Sequence, residues 1–232
     1  MQVSLSCPVC SPYQGQFTVQ VLPKNDCVYE LECPSGHYFT ANILYHDFQK
    51  LFEVAVNALA DDYYREAVGS FAASYERFME LSIRIIMKVN GVDAEILERG
   101  WKAISRQSER QLGAFIFLFL REFSRRPQLL TEKQVQLRNK VVHQGYFPDR
   151  VECLNYGTEV LESIRSTIHV LYYSDIHKGA LIGSINDKGD FSPGGPRLHY
   201  YARPFILTNS PPETGINTLD EMLEFVVKSR QS

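Results

Sequence analysis

Residues 138–143, Arg-Asn-Lys-Val-Val-His, place a guanidinium group and an imidazole near the end of one predicted helix. Arginine can hold a phosphate through a forked pair of hydrogen bonds, and histidine can exchange protons near neutral pH. Metal-free cleavage of RNA requires both functions. Arg138 and His143 therefore indicate a ribonuclease site. The alternative is a structural role, in which the helix dipole favours His143 and Arg138 forms a surface salt bridge.

Helix geometry limits how these two side chains can meet. Residues five apart on an ideal helix are separated by about 140° around the axis. We therefore expect Arg138 and His143 on different faces, whereas Asn139 and His143 share one face. A common site then requires that the helix unwinds before Gly145, or that two protomers complete each other's site.

A second group of residues has the spacing of a metal site. Two short turns, CPVC and CPSGH, each offer two ligands, as zinc requires for a tetrahedral structural site. The predicted ligands are Cys7, Cys10, Cys33 and His37. Four protein ligands leave no open position, so we expect structural zinc and no catalytic metal. The alternatives are free thiols, or a ligand set in which Cys27 or His46 replaces one residue.

The segment that carries these turns is predicted to be rich in β-structure. Residues 17–22 and 28–32 have the pattern of strands, and residues 23–26 have the composition of a turn. A hairpin of these two strands would bring the chelating turns together, in an arrangement that resembles a zinc ribbon. The segment is acidic, with Asp26, Glu30 and Glu32 against Lys24. We therefore expect partner recognition or stabilisation from it rather than phosphate binding.

Apolar residues recur at helical spacing from about residue 46 to 174. They predict a bundle of four or five helices. Asp93, Thr131 and Asp149 are predicted helix starts, with Thr131 and Gln134 forming a capping box. Predicted helix stops are Asn90-Gly91 and Gly145.

The predicted fold is mainly α, in three parts. Residues 1–45 form the zinc-ribbon-like head, residues 46–174 the helical domain, and residues 175–232 an irregular α/β extension of unknown role. Within the extension, residues 198–202 and 204–207 have the pattern of strands. A short amphipathic helix is predicted to begin at Thr218.

The helical domain resembles the HEPN family of ribonuclease domains. Arg138, the polar Asn139 and His143 match the family's Arg-polar-x-x-x-His motif, and residues 71–81 are similar to the early long helix of the family. The resemblance covers residues 46–174. It implies a metal-independent endoribonuclease that acts as a homodimer, with a cleft between the protomers. In that chemistry the ribose 2′-hydroxyl attacks the adjacent phosphorus and leaves a 2′,3′-cyclic phosphate.

The same resemblance implies roles for individual residues. His143 would be the general base or acid, and Arg138 would stabilise charge on the phosphate. Asn139 would bind a non-bridging oxygen or orient His143. Glu76 would hold Arg138 or set the tautomer of His143, with Glu80 as the alternative residue for that role.

Basic and aromatic residues offer a surface for docking RNA. Four basic residues recur at helical spacing and form one predicted row, suited to a phosphate backbone: Arg99, Lys102, Arg106 and Arg110. A solvated helix face is the alternative interpretation. Tyr146 and Phe147 follow His143 and are placed either to stack on a base or to pack in the core or a dimer interface.

Composition limits the remaining choices. The net charge is −3 over 232 residues, so any contact with nucleic acid must come from a local patch. The first residues lack the pattern of a secretory signal, and the longest strongly apolar run, 114–120, is too short for a bilayer. We expect a cytoplasmic protein without membrane contact.

Two biological roles follow from these expectations. The resemblance implies a toxin or anti-phage defence effector that cleaves tRNA or mRNA and is controlled by an antitoxin or a trigger protein. The alternative is a non-catalytic HEPN-like dimer that binds RNA or a partner protein through its zinc head.

Overall fold

The computed structural model describes residues 2–10, 15–186, 198–201 and 218–230, which form eight helices and five strands. The fold is mainly helical, as predicted. The strands are β1 (Gln2–Ser6), β2 (Gln16–Gln20), β3 (Val28–Glu32), β4 (Tyr38–Leu44) and β5 (Leu198–Tyr201). The helices are α1 (Asp47–Ala60), α2 (Tyr64–Val89), α3 (Ala94–Ile104), α4 (Ser108–Phe123), α5 (Glu132–Gln144), α6 (Arg150–Tyr172), α7 (Asp175–Asn186) and α8 (Leu219–Ser229). The predicted strand at residues 204–207 lies outside the described part of the chain.

Contacts divide the chain into two compact units. The head unit contains β1 to β4 together with β5, and the helical unit contains α1 to α6, most of α7, and α8. The described parts of the predicted C-terminal extension therefore belong to both units. The reason is that β5 pairs in parallel with β4, whereas α8 packs on α1 and α6.

The head unit is built from two hairpins. Strand β1 pairs antiparallel with β2, and β3 pairs antiparallel with β4. The predicted hairpin of β2 with β3 is wrong, because within the described residues these strands lie in different sheets. Their partners, β1 and β4, contribute Val3, Leu5 and Ile43 to the head core. As a result, each hairpin carries one chelating turn at its end.

The helical unit is arranged around α2, the 26-residue helix that contacts α1, α3, α4, α5 and α6. Buried aromatic residues fill its core, including the edge-to-face pair Phe52 and Phe71 with ring centroids 4.9 Å apart. Six helices lie between residues 47 and 172, more than the four or five predicted. Helix α7 also replaces part of the predicted irregular extension, where His177 is buried against Glu122 at 3.0 Å.

Side-chain caps define several helix ends. Asp93 and Asp149 cap α3 and α6 as predicted, and Gly145 ends α5 with a positive φ of 68°. The capping box predicted at Thr131 is wrong: Thr131 is the N-cap residue, but its side chain makes no capping bond. Among the described residues, none of the helices has the length and apolar character to cross a membrane.

Candidate functional site

Four metal-ligating side chains converge in the head unit, and all four are those predicted. The ligand atoms of Cys7, Cys10, Cys33 and His37 lie within 4.8 Å of one another. The Sγ atoms of Cys10 and Cys33 are 3.8 Å apart. The Nδ1 atom of His37 lies 3.3 Å from the Sγ of Cys10 and 3.5 Å from that of Cys33.

These distances fit one tetrahedral ion. With Zn–S bonds of about 2.3 Å and Zn–N bonds of about 2.0–2.1 Å, neighbouring sulfurs lie about 3.8 Å apart and sulfur and nitrogen about 3.6 Å apart. The cluster can therefore hold a metal ion in a geometry compatible with zinc. Cys27 and His46 lie outside this cluster. The Sγ of Cys27 instead faces the carbonyl oxygen of Lys24 at 3.8 Å.

The backbone of the second turn shapes the cluster. Gly36 has a φ of +80°, a conformation that favours glycine, and its N–H donates to the Cys33 carbonyl at 2.8 Å. Burial alone would raise the pKa of the Cys33 thiol, but hydrogen bonds from the backbone at His37 and Ser35 lower it to about 6. The turn thus favours the thiolate that metal binding requires.

Arg138 is held by residues from three helices of the helical unit. Its Nη2 donates to Glu76 Oε1 on α2 at 2.6 Å and to Ser108 Oγ on α4 at 3.1 Å. Its Nη1 donates to Asn139 Oδ1 at 2.9 Å. Glu80, the alternative acidic residue, instead forms ion pairs with Arg77 and Arg84. Glu76 is therefore the carboxylate that contacts Arg138.

An open cleft of about 360 Å³ brings the Arg-His pair together within one chain. The residues that line it are Arg106, Gln107, Ser108, Glu109, Arg138, Asn139, His143 and Gln144. Helix α5 remains helical through Gln144, and His143 is exposed in its last turn. The helix therefore neither unwinds nor needs a second protomer for both side chains to reach the cleft. The guanidinium of Arg138 donates to the side chain of Asn139, and Asn139 lies on the same face of α5 as His143.

A smaller apolar pocket of about 90 Å³ adjoins this cleft and shares Ser108, Glu109, Arg138 and Asn139 with it. Tyr75 and Tyr156 form part of its wall. Burial raises the pKa of both phenols, so they are neutral at physiological pH.

The predicted basic row is interrupted. Arg99 and Lys102 lie on α3, Arg106 lies in the turn before α4, and Arg110 lies on α4. Helix α3 ends at Ile104, and the chain turns at residues 105–107 before α4 begins. In this turn the Gln111 side chain donates to the Ser105 carbonyl at 2.8 Å. Of the four basic residues, only Arg106 lines the cleft.

Sequence reasoning missed four residues of the cleft, namely Gln107, Gln144, Ser108 and Glu109. Of these, Ser108 and Glu109 carry a hydroxyl and a carboxylate. Both lie in the first turn of α4, and polar residues are common at a helix start, so their types carried no distinctive signal. Phe147 is 76% exposed, which excludes a place in the core of this chain. Tyr146 donates its hydroxyl to Glu152 at 3.0 Å.

Comparisons with known proteins add no relative. A scan against protein-family models found no match to this chain, and searches of curated proteins and of solved structures found none either. The case for a function therefore depends on the cleft and the metal cluster themselves.

Proposed function

We propose that the protein is a metal-independent endoribonuclease of HEPN type, with its site in the Arg138–His143 cleft. The observation that carries this proposal is that one open cleft is lined by an imidazole, two guanidinium groups and three carboxamides. An RNA phosphate needs positive charge and hydrogen-bond donors, and transesterification needs a group that exchanges protons. The cleft supplies each of these requirements.

His143 is the proton-transfer group in this proposal. Its imidazole takes the proton of the ribose 2′-hydroxyl, whose oxygen attacks the adjacent phosphorus, or it donates a proton to the departing 5′-oxygen. The P–O5′ bond breaks, and the products are a 2′,3′-cyclic phosphate and a 5′-hydroxyl. The positive charge of Arg138 stabilises the negative charge that develops on the phosphate. The HEPN resemblance implies a homodimer in which both protomers contribute to the cleft.

The metal cluster has a structural role in this proposal, with zinc as its ion. Cys7, Cys10, Cys33 and His37 supply four ligands, so the ion cross-links the two hairpins and has no open position for a substrate. The role implied by the resemblance is that of a toxin or defence effector that cleaves cellular RNA.

Cleavage of RNA by single variants tests the proposal. Purified protein is incubated with tRNA and total RNA in EDTA, and its zinc content is measured afterwards to show that the head is intact. We expect His143→Ala to lower the cleavage rate by about 10²-fold or more. Arg138→Ala should give a loss of similar size. Arg99→Ala is the matched control, because Arg99 pairs with Glu95 outside the cleft.

Cleavage that survives both His143→Ala and Arg138→Ala would remove the assignment. Cyclic-phosphate ends on the products would identify the reaction, because hydrolysis by a bound metal hydroxide leaves no cyclic phosphate. The Arg99→Ala protein must cleave at the wild-type rate for the loss in the other two to be specific.

A second candidate function is partner recognition through the head unit. Two apolar side chains beside the chelating turns are largely exposed, Val9 at 62% and Tyr38 at 78%. Contiguous exposed apolar patches mark protein-binding surfaces, and this candidate takes Val9 and Tyr38 as parts of one patch. This candidate predicts that the protein retains RNA or a partner without producing cleavage products. It also predicts that Tyr38→Asp abolishes retention, whereas His143→Ala leaves it unchanged.

A further inference from the structure

The hydrogen bonds of Arg138 leave it without a free fork for a phosphate. A guanidinium binds a phosphate through two parallel N–H groups, either those of Nη1 and Nη2 or those of Nε and Nη2. Each of these two arrangements uses one hydrogen of Nη2. Both hydrogens of Nη2 are already donated, to Glu76 and to Ser108. The carboxylate of Glu76 also offsets the positive charge of Arg138 at close range.

The third bond of Arg138 sets the orientation of Asn139. Because Asn139 Oδ1 accepts from Arg138 Nη1 at 2.9 Å, its amide nitrogen must face the other way. Asn139 and His143 are four residues apart on α5 and share a face, and both line the cleft. The amide nitrogen is therefore free to donate within the cleft that the imidazole of His143 also lines.

Arg106 is the cleft residue whose charge is available. It is exposed, lies in the turn between α3 and α4, and lines the cleft with Asn139 and His143. Within the described residues no hydrogen bond or ion pair holds its guanidinium. Glu109 lines the same cleft and is its one carboxylate, so it weakens the positive potential there.

We infer that Arg106 and the Asn139 amide contact the phosphate of bound RNA, and that Arg138 is a positioning residue that acts through Asn139. The inference rests on the proposed function, since it takes RNA as the ligand. It changes the role given to Arg138. Instead of binding the phosphate, Arg138 orients the Asn139 amide and balances the negative charge of Glu76.

The salt dependence of binding distinguishes these roles. Each phosphate contact of a basic residue on a single strand contributes about 0.7 to the slope of log Kd against log salt. The probe is a single-stranded oligonucleotide with 2′-fluoro sugars, which carries phosphates but no attacking hydroxyl. We expect Arg106→Ala to lower the slope by about 0.7 and to weaken binding about tenfold at low salt. Arg106→Lys should restore the slope.

The matched control variant removes the ion pair of Arg138 with Glu76 without changing the net charge. Glu76→Gln with Arg138→Met should leave the slope at its wild-type value, because a neutral amide contact does not contribute to it. Binding of the probe should weaken and kcat for unmodified RNA should fall, because Asn139 loses its orientation. Glu109→Gln should tighten binding of the probe, because it removes a negative charge from the cleft. Thermal melting of each variant establishes that the helical unit is folded.

Each outcome decides something different. An unchanged slope in Arg106→Ala would overturn the inference, as would an equal fall in the slope of the double variant. Failure of the wild-type protein to bind the probe would also overturn it. The expected slopes together with no cleavage of unmodified RNA would leave the phosphate contacts standing and remove the proposed nuclease activity.

Discussion

The metal cluster of the head unit and the Arg138 cleft of the helical unit are assembled in different ways. In the head, each of two short turns supplies two ligands, and the turn backbone fixes their positions. In the helical unit, Arg138 contacts Glu76 across 62 residues and Ser108 across 30 residues. The cluster, which could hold a metal ion, thus depends on local geometry, whereas the cleft depends on how α2, α4 and α5 pack.

Two cysteines show the same contrast in their acidity. Backbone hydrogen bonds lower the pKa of Cys33 to about 6 against the effect of burial, whereas burial raises the pKa of Cys153 to about 12. One thiol is thus suited to bind a cation as a thiolate, and the other is suited to an apolar core. The two regions give one residue type opposite chemistry because their surroundings offer different hydrogen bonds.

Loss of the metal should have the largest effect, and it should be confined to the head unit. Structural zinc contributes apparent binding free energies on the order of 10 kcal/mol in small domains. We expect Cys33→Ser to lose the ion and to unfold the head, while the helical signal in far-ultraviolet circular dichroism remains. Zinc analysis of the purified variant measures the first effect.

Cys27→Ser is the control for that experiment, because Cys27 is buried in the head but lies outside the cluster. This variant should keep one zinc ion per chain. Equal loss of zinc from both variants would show that the ligand set differs from the four residues proposed. Loss of the helical signal with the zinc would mean that the two units do not fold independently.

A substitution at Gly157 should be the corresponding test of packing in the helical unit. A Cβ atom at this position would lie 2.7 Å from side-chain atoms of both Phe71 and Leu219. Phe71 is fully buried and cannot easily move. We expect Gly157→Ala to lower the free energy of unfolding by about 2 kcal/mol, measured in urea.

Gly69→Ala is its matched control on α2, since nothing lies within 4 Å of a Cβ atom there. It should raise the free energy of unfolding by about 0.5–1 kcal/mol, because alanine favours helix over glycine. Similar destabilisation by both variants would mean that the close approach at Gly157 is not the cause.

The difference between the regions also explains what the sequence could predict. The metal ligands were identifiable because two chelating pairs have short, specific spacings. The helix limits at Asp93, Gly145 and Asp149 were identifiable because capping residues act on their own backbone. Strands β1 and β4 were missed, and β2 was paired with β3, since pairing depends on partners elsewhere in the chain.

The cleft was only partly accessible to the same reasoning. The chemistry of Arg138 and His143 indicated the pair, and a family resemblance indicated Glu76. Ser108 and Glu109 reach the cleft because the chain turns between α3 and α4. The basic row was misread for the same reason, since helical spacing continued through a segment that is a turn. Helix α7 was missed, and its contact of His177 with Glu122 of α4 joins residues distant in the sequence.

The buried thiol of Cys153 should make the helical unit sensitive to alkaline pH. Its pKa of about 12 lies above the value of about 8.5 for an exposed cysteine. A raised pKa stabilises the fold fully below the unfolded value, and this contribution is lost as pH rises towards 12. Between pH 9 and pH 10 we expect a loss of about 1 kcal/mol from this group. Urea unfolding of Cys153→Ala at these two pH values should show a smaller change than the wild type.

The smallest effect should come from two helix starts that flank the Arg-His helix. At Asp149, the carboxylate accepts from the Glu152 N–H at 2.8 Å, and Glu152 accepts from the Asp149 N–H at 3.1 Å. At Thr131 the side chain makes no such bond. We expect Asp149→Ala to lower the free energy of unfolding by about 1 kcal/mol, whereas Thr131→Ala changes it by only a few tenths.

The capping box of Asp149 and Glu152 also contacts the turn that follows His143. Glu152 also accepts from the Tyr146 hydroxyl at 3.0 Å, so the box at Asp149 helps to fix the turn that follows His143. Asp149→Ala should therefore lower RNA cleavage slightly as well, and Thr131→Ala should not. If Thr131→Ala costs as much stability as Asp149→Ala in urea unfolding, the capping box that the sequence predicts at α5 forms in solution. A cap of that kind would also help to fix the start of the helix that carries Arg138.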